Sequence, residues 1–173
     1  MRDKIVYLGF GSNLGDKEAN CRCALEEIAA APSNTIQTIS SLYKTEPVGY
    51  REQDWFVNCV AAVKTTLAPY RLVHFLQTIE KQMGRTKTFN MGPRLIDLDI
   101  LFYGSLAMAE TDLTIPHPRL HERGFVLAPL TEIAPDVVHP ILHKTVKELF
   151  EAIGSDGVVV YSAPPRIAVS FRA

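Results

Sequence analysis

Two aspartates interrupt an apolar run in the middle of the chain. Asp97 and Asp99 lie within 92-GPRLIDLDILFYG-104. If this run is a strand, the two carboxylates lie side by side on one face, because side chains two positions apart point the same way. The alternate residues then face the core, namely Ile96, Leu98, Ile100 and Phe102. Two adjacent carboxylates each disfavour the charge of the other, and a divalent cation with a preference for oxygen ligands, such as Mg²⁺, removes that cost. The pattern predicts a metal site; the alternative is two ordinary acids on a solvated strand face.

Cationic residues lie on both sides of this acid pair. Arg85, Lys87 and Arg94 precede it, and His117, Arg119, His121 and Arg123 follow it. A bound polyphosphate with its metal needs cations placed in this way, so the combination predicts phosphate chemistry. The alternative for the cations is ordinary surface charge. The site is not a P-loop, because the chain has no G-x-x-x-x-G-K-[ST] motif.

The composition is that of one soluble domain. The chain has 173 residues, a net charge of −1, 21% charged and 47% hydrophobic residues. This balance produces no global positive field, so we expect no nucleic-acid partner. No stretch approaches the roughly 18 apolar residues of a membrane span, and the first apolar run is too short for a signal peptide. Three cysteines cannot all pair, and we expect reduced thiols in a cytoplasmic protein.

Hydrophobic periodicity and turn residues predict six elements. Strands alternate with helices that have one apolar face and are bounded by caps, Pro or Gly. The predicted order is strand 5–10, helix 16–31, strand 35–43, strand 56–65, helix 69–83 and strand 95–103. This β-α-β-β-α-β order is typical of ferredoxin-like folds, and it predicts an α+β domain whose antiparallel sheet carries both helices on one face.

The C-terminal part adds elements to this core. We predict a helical stretch at 126–134 and a capped helix near 145–153. The last residues, 156–173, are two β-prone pieces around Pro164 and Pro165. They form either an edge hairpin or a docked tail, so we expect one domain over 1–155 followed by this tail.

The sequence resembles the 6-hydroxymethyl-7,8-dihydropterin pyrophosphokinase family of folate biosynthesis. The resemblance rests on GPRLIDLDIL together with 8-LGFGSNLGD-16, 45-TEPVG-49, 56-FVN-58, 80-EKQMGR-85 and 116-PHPRLHERGFVLAPLTEIAPD-136, which occur in the family's order. It implies a ferredoxin-like fold and an ATP-dependent diphosphotransferase that moves the β,γ-pyrophosphate of ATP to the pterin's hydroxymethyl group and releases AMP. It also implies a cytoplasmic monomer with ATP and the pterin as its partners and with no membrane partner.

The resemblance also implies roles for individual residues. Two Mg²⁺ ions lie between Asp97 and Asp99 and the triphosphate, and Arg85 and Arg94 join the aspartates as catalytic residues. The implied ATP-binding residues are Gln77, Glu80, Arg85, Lys87, Arg94, Ile100, Thr114, His117 and Arg123. The implied pterin site has Phe56 and Phe125 as stacking rings, Asn58 as an amide partner, and backbone groups around Thr45, Glu46 and Val48.

The loop before the acid pair departs from the family pattern. Met91 stands where many members have Trp, and the loop 84–93 is about one residue shorter than in the member compared. We expect this loop, with loop 45–55, to form a lid that is ordered when both substrates bind. Two other functions remain open on the residues alone: a metal-dependent phosphohydrolase or nuclease that uses the same acid pair, and a non-catalytic nucleotide-binding module of the same fold.

Overall fold

The computed structural model of the chain describes residues 3–84, 89 and 91–168. Helices and strands in this part of the chain follow the predicted order and extend beyond it. They are β1 (Lys4–Ser12), α1 (Lys17–Ala30), β2 (Asn34–Ile39), β3 (Leu42–Thr45), β4 (Phe56–Thr65), α2 (Pro69–Gln82), β5 (Asp97–Tyr103), β6 (Met108–Ala109), β7 (Thr114–Ile115), α3 (Gly124–Ile133), α4 (Val146–Ile153) and β8 (Val158–Ser162).

One antiparallel sheet organises the molecule. Its strand order is β5-β1-β4-β3-β8, and β2 pairs with the other half of β4. The short strands β6 and β7 form a separate two-stranded ribbon. Strands β1 and β4 therefore lie at the centre, where both of their edges are paired. This is the ferredoxin-like α+β arrangement that the sequence predicts.

Two hydrophobic clusters cover the two faces of the sheet. The first contains the buried residues of α1 and α2, so the prediction that both helices lie on one face is confirmed. The second contains buried residues of α3 and α4. Strand β4 contributes to both clusters, because its side chains alternate: Val57 and Cys59 belong to the first cluster and Val60 to the second.

The helices begin at the residues that the sequence indicates. Asp16 Oδ1 accepts a hydrogen bond from the Ala19 amide at 3.0 Å, which satisfies a free N–H of the first turn of α1. Pro69 is the first residue of α2, where its missing N–H costs nothing. Thr145 and Glu148 form a reciprocal capping box at the start of α4.

The prediction of one strand over 35–43 is wrong, because the segment is divided into β2 and β3. The Ser40 amide donates to the Val60 carbonyl at 2.9 Å, and Ser40 Oγ accepts from the Val60 amide at 2.9 Å. The same hydroxyl donates to the Ser41 carbonyl at 2.8 Å. A side chain therefore takes the place of one backbone partner in the ladder, and the strand is interrupted there.

The predicted facing of Phe102 is also wrong. The pairing of β5 with β1 shifts between Tyr7 and Leu8, so that Leu101 is an extra residue opposite β1. Such a bulge reverses the alternation of the residues that follow it. Phe102 therefore packs in the second cluster with Leu101, while Leu98 and Ile100 lie in the first as predicted. Strand β5 begins at Asp97 rather than at Leu95.

The C-terminal segment adds an edge strand to the main sheet. Strand β8 pairs antiparallel with β3, and residues 163–168 have no regular structure. The side chain of Ile167 packs against the first cluster. Within the described residues, no helix combines the length and the apolar character needed to cross a membrane.

Candidate active site

Two pockets meet at the aspartate pair. The first contains all six residues predicted for the pterin, which are Thr45, Glu46, Val48, Phe56, Asn58 and Phe125. The second contains five of the residues predicted for ATP, which are Gln77, Glu80, Ile100, Thr114 and His117. Asp97 and Asp99 line both pockets, and Arg94 and Arg123 line the first. A group bound in one pocket therefore lies beside the same two carboxylates as a group bound in the other.

Glycines of β1 form the floor of the first pocket. Gly11 lies opposite Asn58 of β4 on one side and opposite Asp97 of β5 on the other, and Gly9 lies opposite Asp99. A Cβ at Gly11 would stand 2.7 Å from Asn58 Oδ1, closer than real contacts allow. The absence of a side chain here lets the amide of Asn58 and the carboxylates approach the same space.

The electrostatics of the acid pair fit a divalent cation. Burial and the neighbouring charge of Asp97 raise the pKa of Asp99 to about 7, while Arg123 and Arg94 oppose that rise. Asp97 Oδ2 accepts a hydrogen bond from Arg94 Nη1 at 3.0 Å. A buried carboxylate that holds its proton near neutrality releases it readily to a metal ion, and two carboxylates on one strand face are a donor set that suits Mg²⁺.

Arg94 is held in place through both its side chain and its backbone. Its guanidinium carbon lies 5.7 Å from the centre of the Phe56 ring, so the cation faces an aromatic surface. Its amide donates to Asn13 Oδ1 at 2.8 Å, and its carbonyl accepts from the Asn13 amide at 3.1 Å. This cation is therefore positioned before any ligand arrives.

Asn13 also connects three loops around the first pocket. Its Nδ2 donates to Gln53 Oε1 at 2.8 Å, and Gln53 Nε2 in turn donates to the Met91 carbonyl at 2.9 Å. The end of β1, the loop after β3 and the segment before β5 are therefore linked by two amide side chains. Met91 lines the first pocket, and its backbone has a positive φ of 63°. The expectation that loops 84–93 and 45–55 form a lid stays a prediction, and residues 85–88 and 90 of the first loop lie outside the described residues.

Arg123 and His117 add cationic and donor groups at the other side of the pair. Arg123 is the N-cap residue of α3. Its guanidinium carbon lies 5.5 Å from the centre of the Phe125 ring. Its buried Nε has no hydrogen-bond partner within the described ranges. Burial and the charge of Arg123 lower the pKa of His117 to about 4, although Asp97 acts in the opposite direction. His117 Nδ1 accepts from the Arg119 amide at 3.1 Å, so Nε2 of the neutral ring carries the proton and can donate it.

The amide of Asn58 is oriented by β3. Asn58 Nδ2 donates to Thr45 Oγ1 at 2.6 Å, and both residues are buried. The Glu46 amide donates to the Gly157 carbonyl at 3.0 Å, so this N–H is already used within the protein. Within the described part of the chain, the Val48 amide and the carbonyls of Glu46 and Val48 have no backbone partner.

The two helix residues predicted for ATP differ in their surroundings. Glu80 is buried, and its Oε1 accepts from the Leu98 amide at 2.7 Å, which anchors α2 to β5 between the two aspartates. Gln77 is exposed at the second pocket. Thr114 belongs to the short strand β7, and Ile100 to β5.

Two predicted residues cannot be placed, and three contributors were missed. Arg85 and Lys87 lie outside the described residues. The sequence indicated a turn after residue 10, whereas Gly11 lies within β1, and it assigned no role in the site to Gly11, Asn13 or Gln53. The signal for the first two was present in 8-LGFGSNLGD-16, where a small and then a polar residue follow directly after an apolar strand. No comparable pattern marks Gln53.

The fold and the site together describe a ferredoxin-like α+β domain with an acid pair that lines two adjoining pockets. A family model described as 7,8-dihydro-6-hydroxymethylpterin-pyrophosphokinase (HPPK) matches residues 7–135. The chain belongs to this family.

This chain covers its relatives to different extents. The chain is 44% identical over 168 residues to the folic acid synthesis protein FOL1 of Dictyostelium discoideum, but it spans only 25% of that longer protein. It is 41% identical over 153 residues to the 2-amino-4-hydroxy-6-hydroxymethyldihydropteridine pyrophosphokinase of Methylorubrum extorquens, which it covers to 96%.

A solved structure is similar in fold. The crystal structure of wild-type HPPK-DHPS from Plasmodium falciparum with pterin and p-hydroxybenzoate superposes with a TM-score of 0.68 at 19% identity. The alignment covers 87% of this chain and 43% of that one. At this level of identity the likeness concerns the fold alone.

Proposed function

We propose that this protein transfers pyrophosphate from ATP to the hydroxymethyl group of 6-hydroxymethyl-7,8-dihydropterin and releases AMP, a step of folate biosynthesis. The observation that carries the proposal is the meeting of two pockets at Asp97 and Asp99. A reaction that joins two substrates needs two sites that share one reacting centre. Family membership supports the same reaction.

The first pocket suits the pterin. Phe56 and Phe125 offer aromatic surfaces to a flat ring, and Asn58 offers a donor and an acceptor to its amide-like edge. The amide of Asn58 is already oriented by Thr45, so little side-chain freedom is lost on binding. Backbone groups at Glu46 and Val48 complete that edge in the proposal.

The second pocket and its cations suit ATP. Gln77, Glu80, Ile100 and Thr114 surround the nucleoside part in the proposal, and His117 donates Nε2–H to a phosphate oxygen. Arg94 and Arg123 offer positive charge where charge develops on the transferred group. Arg85 and Lys87 belong to the same proposed set.

Asp97 and Asp99 hold Mg²⁺ in this proposal, with two ions per active site. When bound there, Mg²⁺ would supply positive charge for the triphosphate and would lower the pKa of the acceptor hydroxyl. Around it, Arg94 balances the charge of Asp97, and Glu80 holds the β5 backbone so that both carboxylates keep their direction. The chain's own part is to place the hydroxyl oxygen in line with the β-phosphorus.

The two other functions are not favoured. A phosphohydrolase or nuclease that uses the same acid pair has no need for the first pocket, with its two aromatic rings and its buried, oriented amide. A non-catalytic nucleotide-binding module has no need for two pockets that share a carboxylate pair. The proposal further includes a monomeric, cytoplasmic protein in which residues 1–155 form the pyrophosphokinase domain.

Release of AMP tests the proposal directly. Mg-ATP is incubated with and without the pterin, using the wild-type protein and Asp97→Ala. We expect AMP only with the pterin, and a loss of at least about a hundredfold in kcat in the variant, because a metal ligand is removed. Asp136→Ala is the control, since Asp136 is exposed and lines neither pocket. AMP formation that is independent of the pterin would identify a hydrolase, and ATP binding without turnover would identify a binding module.

A further inference from the structure

We propose that residues 154–158, the C-terminal bridge, set the width of the first pocket by holding its two opposite walls. This inference rests on the proposed function, since it assigns a positioning role toward the pterin. The bridge lies beyond the part of the chain that the family model matches, which ends at residue 135. It connects α4 to β8, and none of its residues lines either pocket.

The first wall contacts the bridge through Glu46. The Gly157 carbonyl accepts the Glu46 amide at 3.0 Å, and Val158 pairs with Thr45 in the ladder of β3 and β8. A Cβ at Gly157 would lie 3.3 Å from Glu46 Cδ, so the Glu46 side chain lies directly on the bare glycine. β3 is therefore fixed on both edges where it borders the pocket: by Asn58 on one side and by the bridge on the other.

The second wall contacts the bridge through Gly124. This glycine is the first residue of α3 and lies between Arg123 and Phe125, which both line the first pocket. A Cβ at Gly124 would lie 3.4 Å from Val158 Cγ2 and 3.8 Å from the Gly154 carbonyl oxygen. The side chain of Val158 thus packs against bare backbone at the start of α3.

One short segment therefore contacts both walls. Val158 is opposite Thr45 in the sheet and also packs on Gly124, so the distance between β3 and the start of α3 depends on its side chain. A flat ring between Phe56 and Phe125 requires a fixed spacing, because stacking is lost when the rings move apart. The bridge is a positioning element for the pterin, and the contacts that carry this role are with β3, Glu46 and Gly124.

The first test compares two equal truncations in one strand. Val158→Ala removes the contact with Gly124, whereas Val160→Ala removes the same atoms two residues later, where the side chain is 62% exposed. We expect Val158→Ala to raise the KM for the pterin about fivefold while kcat changes less, because a wall is displaced rather than a reacting group removed. Val160→Ala is expected to leave the KM within about twofold of the wild type.

The second test compares Gly157 with a glycine outside the bridge that also has a positive φ. Gly157 has φ +71° and Gly104, which follows β5, has φ +52°, but a Cβ at Gly104 would meet only Lys4 Cδ, at 3.9 Å. Alanine at either position is strained. Only in Gly157→Ala does the new Cβ contact Glu46, which must move away from it. We therefore expect about a tenfold rise in the KM for the pterin in this variant alone, because small misplacements of positioning groups are costly. Thermal unfolding of both variants measures how much stability each substitution costs, so that an effect on the KM can be separated from a loss of folded protein.

Calorimetric binding of the pterin and of ATP, each measured separately, completes the design. Weaker pterin binding in Val158→Ala and Gly157→Ala, with ATP binding unchanged and both controls normal, supports the bridge. Unchanged pterin binding in both variants overturns it, while wild-type turnover still supports the proposed function. If pterin binding weakens equally in a variant and in its control, the proposed role of the bridge is overturned as well, because the effect would then be general destabilisation. A wild-type protein that neither binds nor converts the pterin refutes the proposed function itself.

Discussion

Replacing Gly11 by alanine tests the floor of the first pocket. The new Cβ would stand 2.7 Å from Asn58 Oδ1, and ordinary contact begins near 3.4 Å, so the amide oxygen must move by about 0.7 Å. Strands β1 and β4 are paired at the centre of the sheet and cannot separate to make room. The amide of Asn58 must therefore rotate.

This rotation disrupts a buried hydrogen bond. Asn58 Nδ2 and Thr45 Oγ1 are 2.6 Å apart, and a shift of the amide group breaks this contact. A buried polar group without its partner costs about 1–3 kcal/mol. If this free energy is lost from pterin binding as well, the affinity for the pterin falls by about 5- to 150-fold, at 1.4 kcal/mol for each factor of ten.

Steady-state kinetics and thermal unfolding measure the two consequences. We expect Gly11→Ala to raise the KM for the pterin within that range and to lower the unfolding midpoint by about 2–4 °C for each kcal/mol lost. Gly9→Ala is the matched control for stability, because its Cβ would meet the Leu101 side chain at an ordinary 3.4 Å; it is not a control for the KM, since Gly9 lines the same pocket. A normal pterin KM in Gly11→Ala, or an equal fall of the unfolding midpoint in Gly9→Ala, would refute the reasoning.

Two further predictions concern parts of the fold away from the reacting centre. Glu132 of α3 accepts hydrogen bonds from the Tyr43 hydroxyl at 2.6 Å and from the Ser41 amide at 2.9 Å. Glu132→Gln should therefore lower the free energy of unfolding in urea by about 1 kcal/mol. An unchanged free energy of unfolding would contradict this prediction. Buried His139 accepts the Ile141 amide at Nδ1 (3.2 Å), and burial lowers its pKa, so the folded state binds fewer protons there than the unfolded chain. Stability should therefore fall as pH drops below about 6.5, and the fall should be smaller in His139→Asn; an identical pH profile would exclude this residue as the source.

Local sequence determined much of this protein. The β-α-β-β-α-β order, the caps at Asp16 and Thr145, and the common face of Asp97 and Asp99 follow from residue spacing and side-chain chemistry within a few positions. Alternation along a strand and periodicity along a helix are local properties, so they can be read without knowing the partners. Motifs in the family's order also indicated which residues would line the two pockets.

Only the tertiary structure decided features that depend on a partner from elsewhere in the chain. The bulge at Leu101 that turns Phe102 to the second cluster arises from the register with β1. Nothing near Glu80 in the sequence indicates that it is buried, because its partner, the Leu98 amide, belongs to a distant strand. The edge position of β8, and with it the contact of Val158 with Gly124, depends on which strand edge was left unpaired. Strand register and long-range hydrogen bonds are set by the whole fold, so no short window of sequence specifies them.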